Sequence, residues 1–284
     1  MPEVTLSAGT IAYEDTGEGP GDPRPTLVLL HGLTMDGSVW REVVAALGPR
    51  YRCVLPTLPL GAHRTPMRPD ADLTLRGIAL LVGEFVEALD LRDVTLVLND
   101  WGGAQLLLTE GPADQIDRIG RVVLTACEAF DNYPPGLPGR LIGVACRTPG
   151  GLRLLMSALR LRAVRRAPGG WGWMSKRPVP GALMDAWFAP ARTDPLVRRD
   201  LVAYALSLPD RPALLAQAER LRSFPRPVLV VWAKEDRLMP RAHGPRLAAL
   251  FPDARLVELD DTYTLIPVDQ PDRLAALLRD FVPA

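Results

Sequence analysis

The chain has 284 residues, 48% of them hydrophobic, and its 33 basic and 33 acidic side chains cancel. This length allows one large domain or a domain with an insertion, and the balanced charge argues against a nucleic-acid-binding protein. Its three widely spaced cysteines lack metal-ligand spacing and favour a reduced, cytoplasmic protein without a metal. No signal-peptide pattern opens the chain, and no apolar run reaches the roughly 18 residues of a membrane span, so we expect no membrane partner.

The first half of the chain alternates predicted strands with predicted helices. Apolar runs typical of buried strands and helical spacing of apolar residues distinguish the two kinds of element. In chain order they predict a hairpin over 3–15, a strand over 26–30, a helix over 38–47, a strand over 51–55, a helix over 74–89 begun by Thr74, a strand over 94–100, a helix over 103–111 and a strand over 121–125.

The pattern changes between about Ala129 and Pro225, where proline and glycine are frequent and no apolar strand occurs. Amphipathic helices are predicted there over 150–166, 180–189, 195–206 and 212–222. Strand and helix then resume, with strands over 227–232 and 255–259 and helices over 241–250 and 271–281. The sequence therefore predicts an α/β fold with a mostly parallel central sheet, helices on both faces, a core of residues 1–128 and 226–284, and an inserted helical cap of residues 129–225.

Five polar residues lie directly after predicted strands: His31, Asp100, Glu128, Asp236 and Thr264. In a parallel sheet the carboxyl ends of the strands share one edge, and ligands bind there. We therefore expect these side chains to surround one site.

The chain resembles the α/β-hydrolase family over its whole length, and within it the haloalkane dehalogenases and epoxide hydrolases. The resemblance rests on four motifs, which are His31-Gly32, Asn99-Asp100-Trp101-Gly102-Gly103, Ala233-Lys234-Glu235-Asp236 and Asp269-Gln270-Pro271. The second motif is similar to the turn between strand and helix that presents the nucleophile in this family. The resemblance implies the α/β-hydrolase fold with a helical cap.

By this resemblance Asp100 is the nucleophile. A carboxylate needs no base to become nucleophilic and can open an epoxide or displace a halide, leaving an ester on the enzyme. The resemblance also implies that the backbone N–H groups of Leu33 and Trp101 form the oxyanion hole, and that the Trp101 indole binds halide. Family dehalogenases often have asparagine where this chain has Leu33, which favours the epoxide over the halide. Asp100 as a helix cap and Trp101 as a core aromatic are the alternatives.

The resemblance gives Asp236, or Glu128 as the alternative acid, the task of orienting a catalytic histidine. Thr264 occupies the position where the family has that histidine, five residues before Asp269. A threonine hydroxyl does not titrate near neutrality and cannot activate water as a general base. We therefore expect an ester to form at Asp100 but to be hydrolysed slowly. Both acids also have a simpler interpretation, as loop carboxylates or helix caps.

Other residues are candidates for the base or the pocket. Among the three histidines, His63 is a candidate base or a loop histidine, His31 belongs to the His-Gly turn, and His243 is expected to be solvated. Aromatic residues of the predicted cap are expected to line the pocket, among them Phe130, Tyr133, Trp187 and Tyr204. Epoxide hydrolases donate a proton from cap tyrosines, which would be Tyr133 and Tyr204 here; the alternative is that these aromatics only pack the cap.

Three hypotheses follow from these residues. The first is an enzyme that hydrolyses a small hydrophobic epoxide or haloalkane through Asp100, without metal or organic cofactor. The second is a non-hydrolytic isomerase, lyase or cyclase that uses the same pocket. The third is a ligand-binding relative without activity, and in each case the protein is expected to be a monomer or homodimer.

Overall fold

A central eight-stranded sheet forms the core of the protein in a computed structural model that describes residues 1–19, 21–167 and 170–283. The strands are β1 (Glu3–Leu6), β2 (Gly9–Asp15), β3 (Thr26–Leu30), β4 (Arg52–Pro56), β5 (Val94–Asp100), β6 (Ile119–Cys127), β7 (Val228–Ala233) and β8 (Ala254–Leu259). Their order in the sheet is β1-β2-β4-β3-β5-β6-β7-β8. The pairs β1–β2 and β2–β4 are antiparallel and all other pairs are parallel, which confirms the predicted fold class.

Helices connect the strands. They are α1 (Arg41–Leu47), α2 (Leu75–Ala88), α3 (Leu107–Glu110), α4 (Ala113–Ile116), α5 (Gly136–Arg147), α6 (Gly151–Ala158), α7 (Arg162–Arg166), α8 (Gly181–Thr193), α9 (Pro195–Leu206), α10 (Arg211–Arg220), α11 (His243–Ala248), α12 (Ile266–Asp269) and α13 (Pro271–Phe281). None of the helices in the described ranges is both long and apolar enough to cross a bilayer.

The strands at the centre of the sheet are buried along their whole length. Every residue of β3, β4 and β5 is buried, as expected for parallel strands covered on both faces. Continuous apolar runs in the sequence therefore identified them correctly. The predicted hairpin is also present, with Gly9 at a φ of 144°, a conformation that favours glycine.

Helices α5 to α10 lie in the segment between β6 and β7, which we call the inserted segment (residues 128–227). Helix α5 was not predicted there, because its first residues are rich in proline and glycine. Proline is tolerated in the first turn of a helix, and Pro138 occupies that turn. A Cβ atom on the buried Gly139 would lie 2.7 Å from the Cβ of Pro134, so close packing at this point requires glycine.

Several other boundaries differ from prediction. The single helix expected over 150–166 is two helices, α6 and α7, and the helix expected over 180–189 runs to Thr193 with Pro190 inside it. The helices predicted over 38–47 and 103–111 each begin with a 3-10 turn. Thr74 is the N-cap of α2, as predicted, and its side chain accepts a hydrogen bond from the Gly77 N–H.

Backbone strain concentrates at the carboxyl ends of the strands. Thr34, Asp100, Ala126, Phe130 and Asp261 all have positive φ angles, and they follow or end β3, β5, β6 and β8. Non-glycine residues adopt this conformation at a cost that surrounding structure must offset, and such residues cluster at functional sites. Five of the seven non-glycine residues with positive φ in the described part of the chain therefore lie at the sheet edge that the sequence singled out, and the other two, Asp90 and Asp93, precede β5.

Candidate active site

Asp100 is the last residue of β5, and its backbone places the carboxyl group in a confined space. Its φ is 63°, and the residue is 5% exposed. The backbone N–H of Leu33 faces the carboxylate and favours its ionised form. A Cβ atom on Gly32 would lie 1.9 Å from Oδ2 of Asp100, so only glycine at that position leaves room for the carboxyl group.

Burial raises the pKa of Asp100 to about 7, and the like charge of Asp236 adds to the increase. The backbone N–H of Leu33 lowers the pKa but does not cancel these effects. Near neutrality the group is therefore divided between its acid and its carboxylate form. This shift was not foreseen from the sequence, because it depends on burial and on a second carboxylate brought close by folding.

A cavity of about 60 Å³ opens over Asp100. Its polar lining comes from Asp100, Glu128 and Tyr204, and most of the remaining lining is apolar. Helix α5 contributes Pro138, Gly139, Ile142 and Gly143 to the wall. Since the sequence did not predict α5, these lining residues were missed; the spacing of apolar residues after Pro138 was the available signal.

Glu128 lines the cavity and is 3% exposed. Burial raises its pKa well above the usual range, the Asp100 charge adds to this, and both effects favour the protonated acid. The Gly102 N–H lies 3.5 Å from Oε2, a weak contact. Glu128 is therefore suited to donate a hydrogen bond into the cavity.

The side chains of Trp101 and Tyr204 are joined by a hydrogen bond. The indole Nε1–H of Trp101 donates to the hydroxyl oxygen of Tyr204 at 2.9 Å, and both side chains are buried. The phenol lines the cavity, and burial raises its pKa well above the usual range. The hydroxyl consequently keeps its proton and can donate a hydrogen bond into the cavity. The backbone N–H of Trp101 donates to the carbonyl oxygen of Asn99 at 2.7 Å and, unlike that of Leu33, is not directed at Asp100.

The buried Thr264 and the half-buried Asp236 form a hydrogen-bonded pair beside this site. The Thr264 hydroxyl donates to Oδ1 of Asp236 at 2.8 Å, and the backbone N–H groups of Leu238 and Met239 donate to the same oxygen. Burial raises the pKa of Asp236 to about 6 despite these donors. The side-chain amide of Asn99, which the sequence did not single out, donates to the carbonyl of Thr264 at 2.8 Å and ties this loop to the end of β5.

None of the chain's three histidines lines the cavity. In His31 the Nε2 atom accepts a hydrogen bond from the Leu58 N–H, so Nδ1–H donates to the Gly32 carbonyl. His63 is buried against Asp200 of α9, with Nε2 3.2 Å from Oδ2 and Nδ1 facing the Gly61 N–H. His243 is half-buried against the ring of Phe130, whereas the sequence predicted a solvated residue.

The other aromatic candidates lie around the cavity rather than in its wall. The Trp187 indole N–H donates to Asp36 and Ser38 and anchors the inserted segment to the core. Phe130 and Tyr133 line a separate cavity of about 30 Å³. The Tyr133 hydroxyl donates to the main-chain carbonyl of Glu128 at 3.3 Å. Folding therefore brings Asp100, Glu128, Tyr204 and Leu33 into one cavity and places these three aromatics elsewhere.

Within residues 1–19, 21–167 and 170–283, no group of three or more His, Cys, Asp or Glu side chains is arranged to hold a metal ion.

Comparison with known proteins agrees with this architecture. The sequence profile described as "Alpha/beta hydrolase family" matches residues 27–277. "Haloalkane dehalogenase 2" of Mycobacterium tuberculosis (strain ATCC 25618 / H37Rv) is 27% identical over 286 residues, covering 96% of this chain and 91% of that protein. "Cis-3-alkyl-4-alkyloxetan-2-one decarboxylase" of Xanthomonas campestris pv. campestris is 26% identical over 288 residues, covering 96% and 92%.

The fold is also found in solved structures. The crystal structure of the putative ancestral haloalkane dehalogenase AncHLD2 superposes with a TM-score of 0.74 at 20% identity, covering 99% of this chain and 98% of that one. The chain therefore belongs to the α/β hydrolase family. Within that family it is haloalkane dehalogenase-like, as the sequence motifs predicted.

Proposed function

We propose that this protein is an enzyme in which the Asp100 carboxylate attacks carbon in a small apolar electrophile, an epoxide or a haloalkane. The observation that carries the proposal is the position of Asp100, buried on a strained turn with its carboxyl group in the wall of a mostly apolar cavity. An ionised carboxylate there is poorly solvated, and this increases its reactivity towards carbon. The product of the attack is an ester between substrate and enzyme.

Opening a C–O bond fits the cavity better than displacing a halide. An epoxide oxygen needs a proton as it leaves, and Tyr204 and Glu128 both hold protons in the cavity wall. A departing halide needs no proton but needs N–H donors. The indole N–H of Trp101 already donates to Tyr204, so it is not open to a halide.

Completion of hydrolysis is the difficult step. Water must be activated to attack the ester, and a general base typically contributes about 10² to 10⁴ to such a rate. The chain's histidines lie outside the cavity, and Thr264 is bonded to Asp236. We therefore infer that an ester formed with an epoxide or haloalkane accumulates on Asp100.

The Thr264–Asp236 pair provides no base to activate water. It therefore also favours a second candidate function, a lyase reaction that needs no activated water. In an oxetan-2-one, attack of Asp100 on the alkyl ring carbon breaks the C–O bond and releases a carboxylate. Loss of CO₂ then breaks a C–C bond, and its electrons form an alkene as the bond to Asp100 breaks. Asp100 returns as carboxylate, so the step balances without a base. The decarboxylase among the relatives is named for such a ring.

We place the enzyme in the cytoplasm, acting as a monomer or homodimer on a small hydrophobic molecule, without nucleic acid. All three cysteines are free thiols, in keeping with a reducing compartment.

Intact-mass spectrometry after incubation with an epoxide, an alkyl bromide and an oxetan-2-one tests the proposal. We expect a stable adduct from the epoxide, mapped to the peptide that contains Asp100, and none in Asp100→Asn. Alkene and CO₂ from the oxetan-2-one would identify the lyase. Neither adduct nor turnover with any of the three would contradict both functions and leave a ligand-binding protein.

A further inference from the structure

The inserted segment carries a strongly asymmetric charge. Residues 132–184, between Asp131 and Asp185, contain eight arginines and one lysine but no aspartate or glutamate. The whole chain is formally neutral, so the rest of the molecule is net acidic by the same amount. A single-sign region of this size attracts an oppositely charged partner.

The same stretch exposes large apolar side chains. Of the eight exposed large hydrophobic residues in the described part of the chain, five lie here, which are Leu137, Leu141, Val144, Leu154 and Leu161. The first three follow a spacing of four and three residues and so form a stripe on one face of α5. Leu154 is 72% exposed on α6, which packs beside α5.

The stripe on α5 is not part of the protein core. The opposite face of the helix, with Gly139, Ile142 and Gly143, lines the cavity over Asp100. Helix α5 is thus a wall with the candidate active site on one side and exposed leucine and valine on the other.

A basic groove adjoins this region. Its volume is about 640 Å³, and Arg162, Arg165, Arg166, Lys176 and Arg177 line it. Arg165 is paired with Asp185, and Lys176 and Arg177 are paired with Asp261, whereas Arg162 and Arg166 form no ion pair within the described residues. Trp171 belongs both to this groove and to the cavity over Asp100. Clustered guanidinium groups of this kind bind phosphate oxygens well.

We propose that the outward face of α5 and α6, from Leu137 to Arg162, docks on an anionic lipid membrane surface. The exposed leucine and valine side chains enter the boundary between headgroups and acyl chains, and the surrounding arginines contact lipid phosphates. The expectation of no membrane partner rested on the lack of a spanning segment, which says nothing about docking from one side.

A lipid surface explains this face better than an acidic protein does. The exposed large apolar residues of the stretch are all leucine or valine, whereas the centres of protein interfaces are enriched in aromatic residues. Apolar substrates also concentrate in bilayers, and α5 would bring the cavity wall against that source. Docking does not depend on the proposed chemistry, so each can fail without the other.

Flotation with lipid vesicles tests docking on the full chain. The probes are vesicles of phosphatidylcholine alone and vesicles of phosphatidylcholine and phosphatidylserine in equal parts, at low and raised salt. We expect binding only to the mixed vesicles and loss of binding as salt increases. The double variant Arg153→Glu/Arg160→Glu should weaken binding at least about 25-fold, at about 5-fold for each arginine lost.

A second variant separates insertion from simple charge attraction. Leu141→Ser/Leu154→Ser should weaken binding as well, with an unchanged melting temperature because both residues are exposed. Matched controls elsewhere on the surface are Arg41→Glu and Leu196→Ser, which should bind as the unaltered protein does.

Three results would overturn the proposal. They are no binding to the mixed vesicles at low salt, equal loss of binding in the control variants, and full binding by the leucine variant. Binding to soluble polyglutamate without binding to the mixed vesicles would instead assign the face to an acidic protein.

Discussion

The hydroxyl of Thr264 donates a hydrogen bond to only one oxygen of Asp236, at 2.8 Å. Two backbone N–H groups share that oxygen, while Oδ2 is buried and has no hydrogen-bond partner within the described residues. A buried carboxylate oxygen without a donor is costly, and the raised pKa of Asp236 reflects this. Oδ2 of Asp236 can therefore accept a hydrogen bond from one more donor placed beside Asp100.

Replacing Thr264 with histidine should supply both a donor and a base. In Thr264→His the imidazole can donate one N–H to Asp236 and present its other nitrogen to water near Asp100. We expect the Asp100 adduct to decay about 10² to 10⁴ times faster. The decay is measured by intact-mass spectrometry after excess epoxide is removed.

Thr264→Gln is the control for this change, because it adds comparable bulk without a base. Its adduct should persist as in the unaltered protein. Equal decay in both variants would show that added volume or altered folding, rather than general-base catalysis, caused the effect.

The architecture was predictable from sequence because its signals are local. The continuous apolar runs of β3 and β5 identify buried parallel strands, and residues after such strands share one edge of the sheet. That reasoning located Asp100 and Asp236. Helix α5 was not predicted because proline and glycine have low helix propensity. Close packing against Pro134 nevertheless requires glycine at Gly139.

Tyr204→Phe should distinguish a proton donor from a packing aromatic. Glu128 stays in the cavity wall as a second proton holder. If Tyr204 is the residue that protonates the epoxide oxygen, adduct formation should slow by about 10² to 10⁴ in this variant. Displacement of bromide needs no proton. Its rate should hold or rise, because the Trp101 indole N–H is released from Tyr204 and becomes available to halide. Stopped-time mass spectrometry with each substrate gives both rates.

Tyr133→Phe is the matched variant, since that phenol donates to the backbone carbonyl of Glu128 and lines a different cavity. It should leave both rates nearly unchanged. A loss of epoxide reactivity in Tyr133→Phe but not in Tyr204→Phe would assign the proton donor to the other tyrosine.

The pH dependence of adduct formation should follow ionisation of Asp100. Because the pKa of Asp100 is raised to about 7, the reactive carboxylate appears as pH increases through neutrality. Asp236→Asn removes the like charge and should move the midpoint to lower pH, while the amide oxygen still accepts from Thr264. The rate is measured across this range in both proteins. An unchanged midpoint in Asp236→Asn would show that burial alone sets the pKa.

The chemistry of the site was less predictable than its location. Sequence alone marks Asp100 as an ordinary carboxylate, whereas folding buries it near two other acids, Glu128 and Asp236. The hydrogen bond that engages the Trp101 indole N–H likewise depends on Tyr204, which is 103 residues away in the chain. Contacts between distant segments, and not residue types, decide these properties.

The free energy of unfolding should also depend on the ionisation of Asp100. A pKa of about 7 in place of 3.8 corresponds to about 4 kcal/mol of preference for the neutral acid in the folded state. This contribution is complete below the pKa of the unfolded chain and is lost as pH rises through 7. Asp100→Asn should therefore gain stability over the unaltered protein at about pH 8, and less at about pH 5.

Chemical denaturation at both pH values measures this difference. Asp253→Asn, at an exposed position, controls for loss of a surface charge and should show no comparable gain at the higher pH. An equal effect of Asp100→Asn at both pH values would mean that ionisation of Asp100 does not lower the free energy of unfolding.

Gly32→Ala should damage the site without disturbing the sheet. Gly32 does not have a positive φ, so alanine is acceptable to its backbone, but the added methyl would lie 1.9 Å from Oδ2 of Asp100. The carboxyl group must move, and a displacement of about 1 Å can cost about 10² in rate. Gly181→Ala is the control, because the nearest atom to its added methyl would be Nη1 of Arg165, at the ordinary contact distance of 3.8 Å. Normal adduct formation in Gly32→Ala would mean that the carboxyl group does not react from this position.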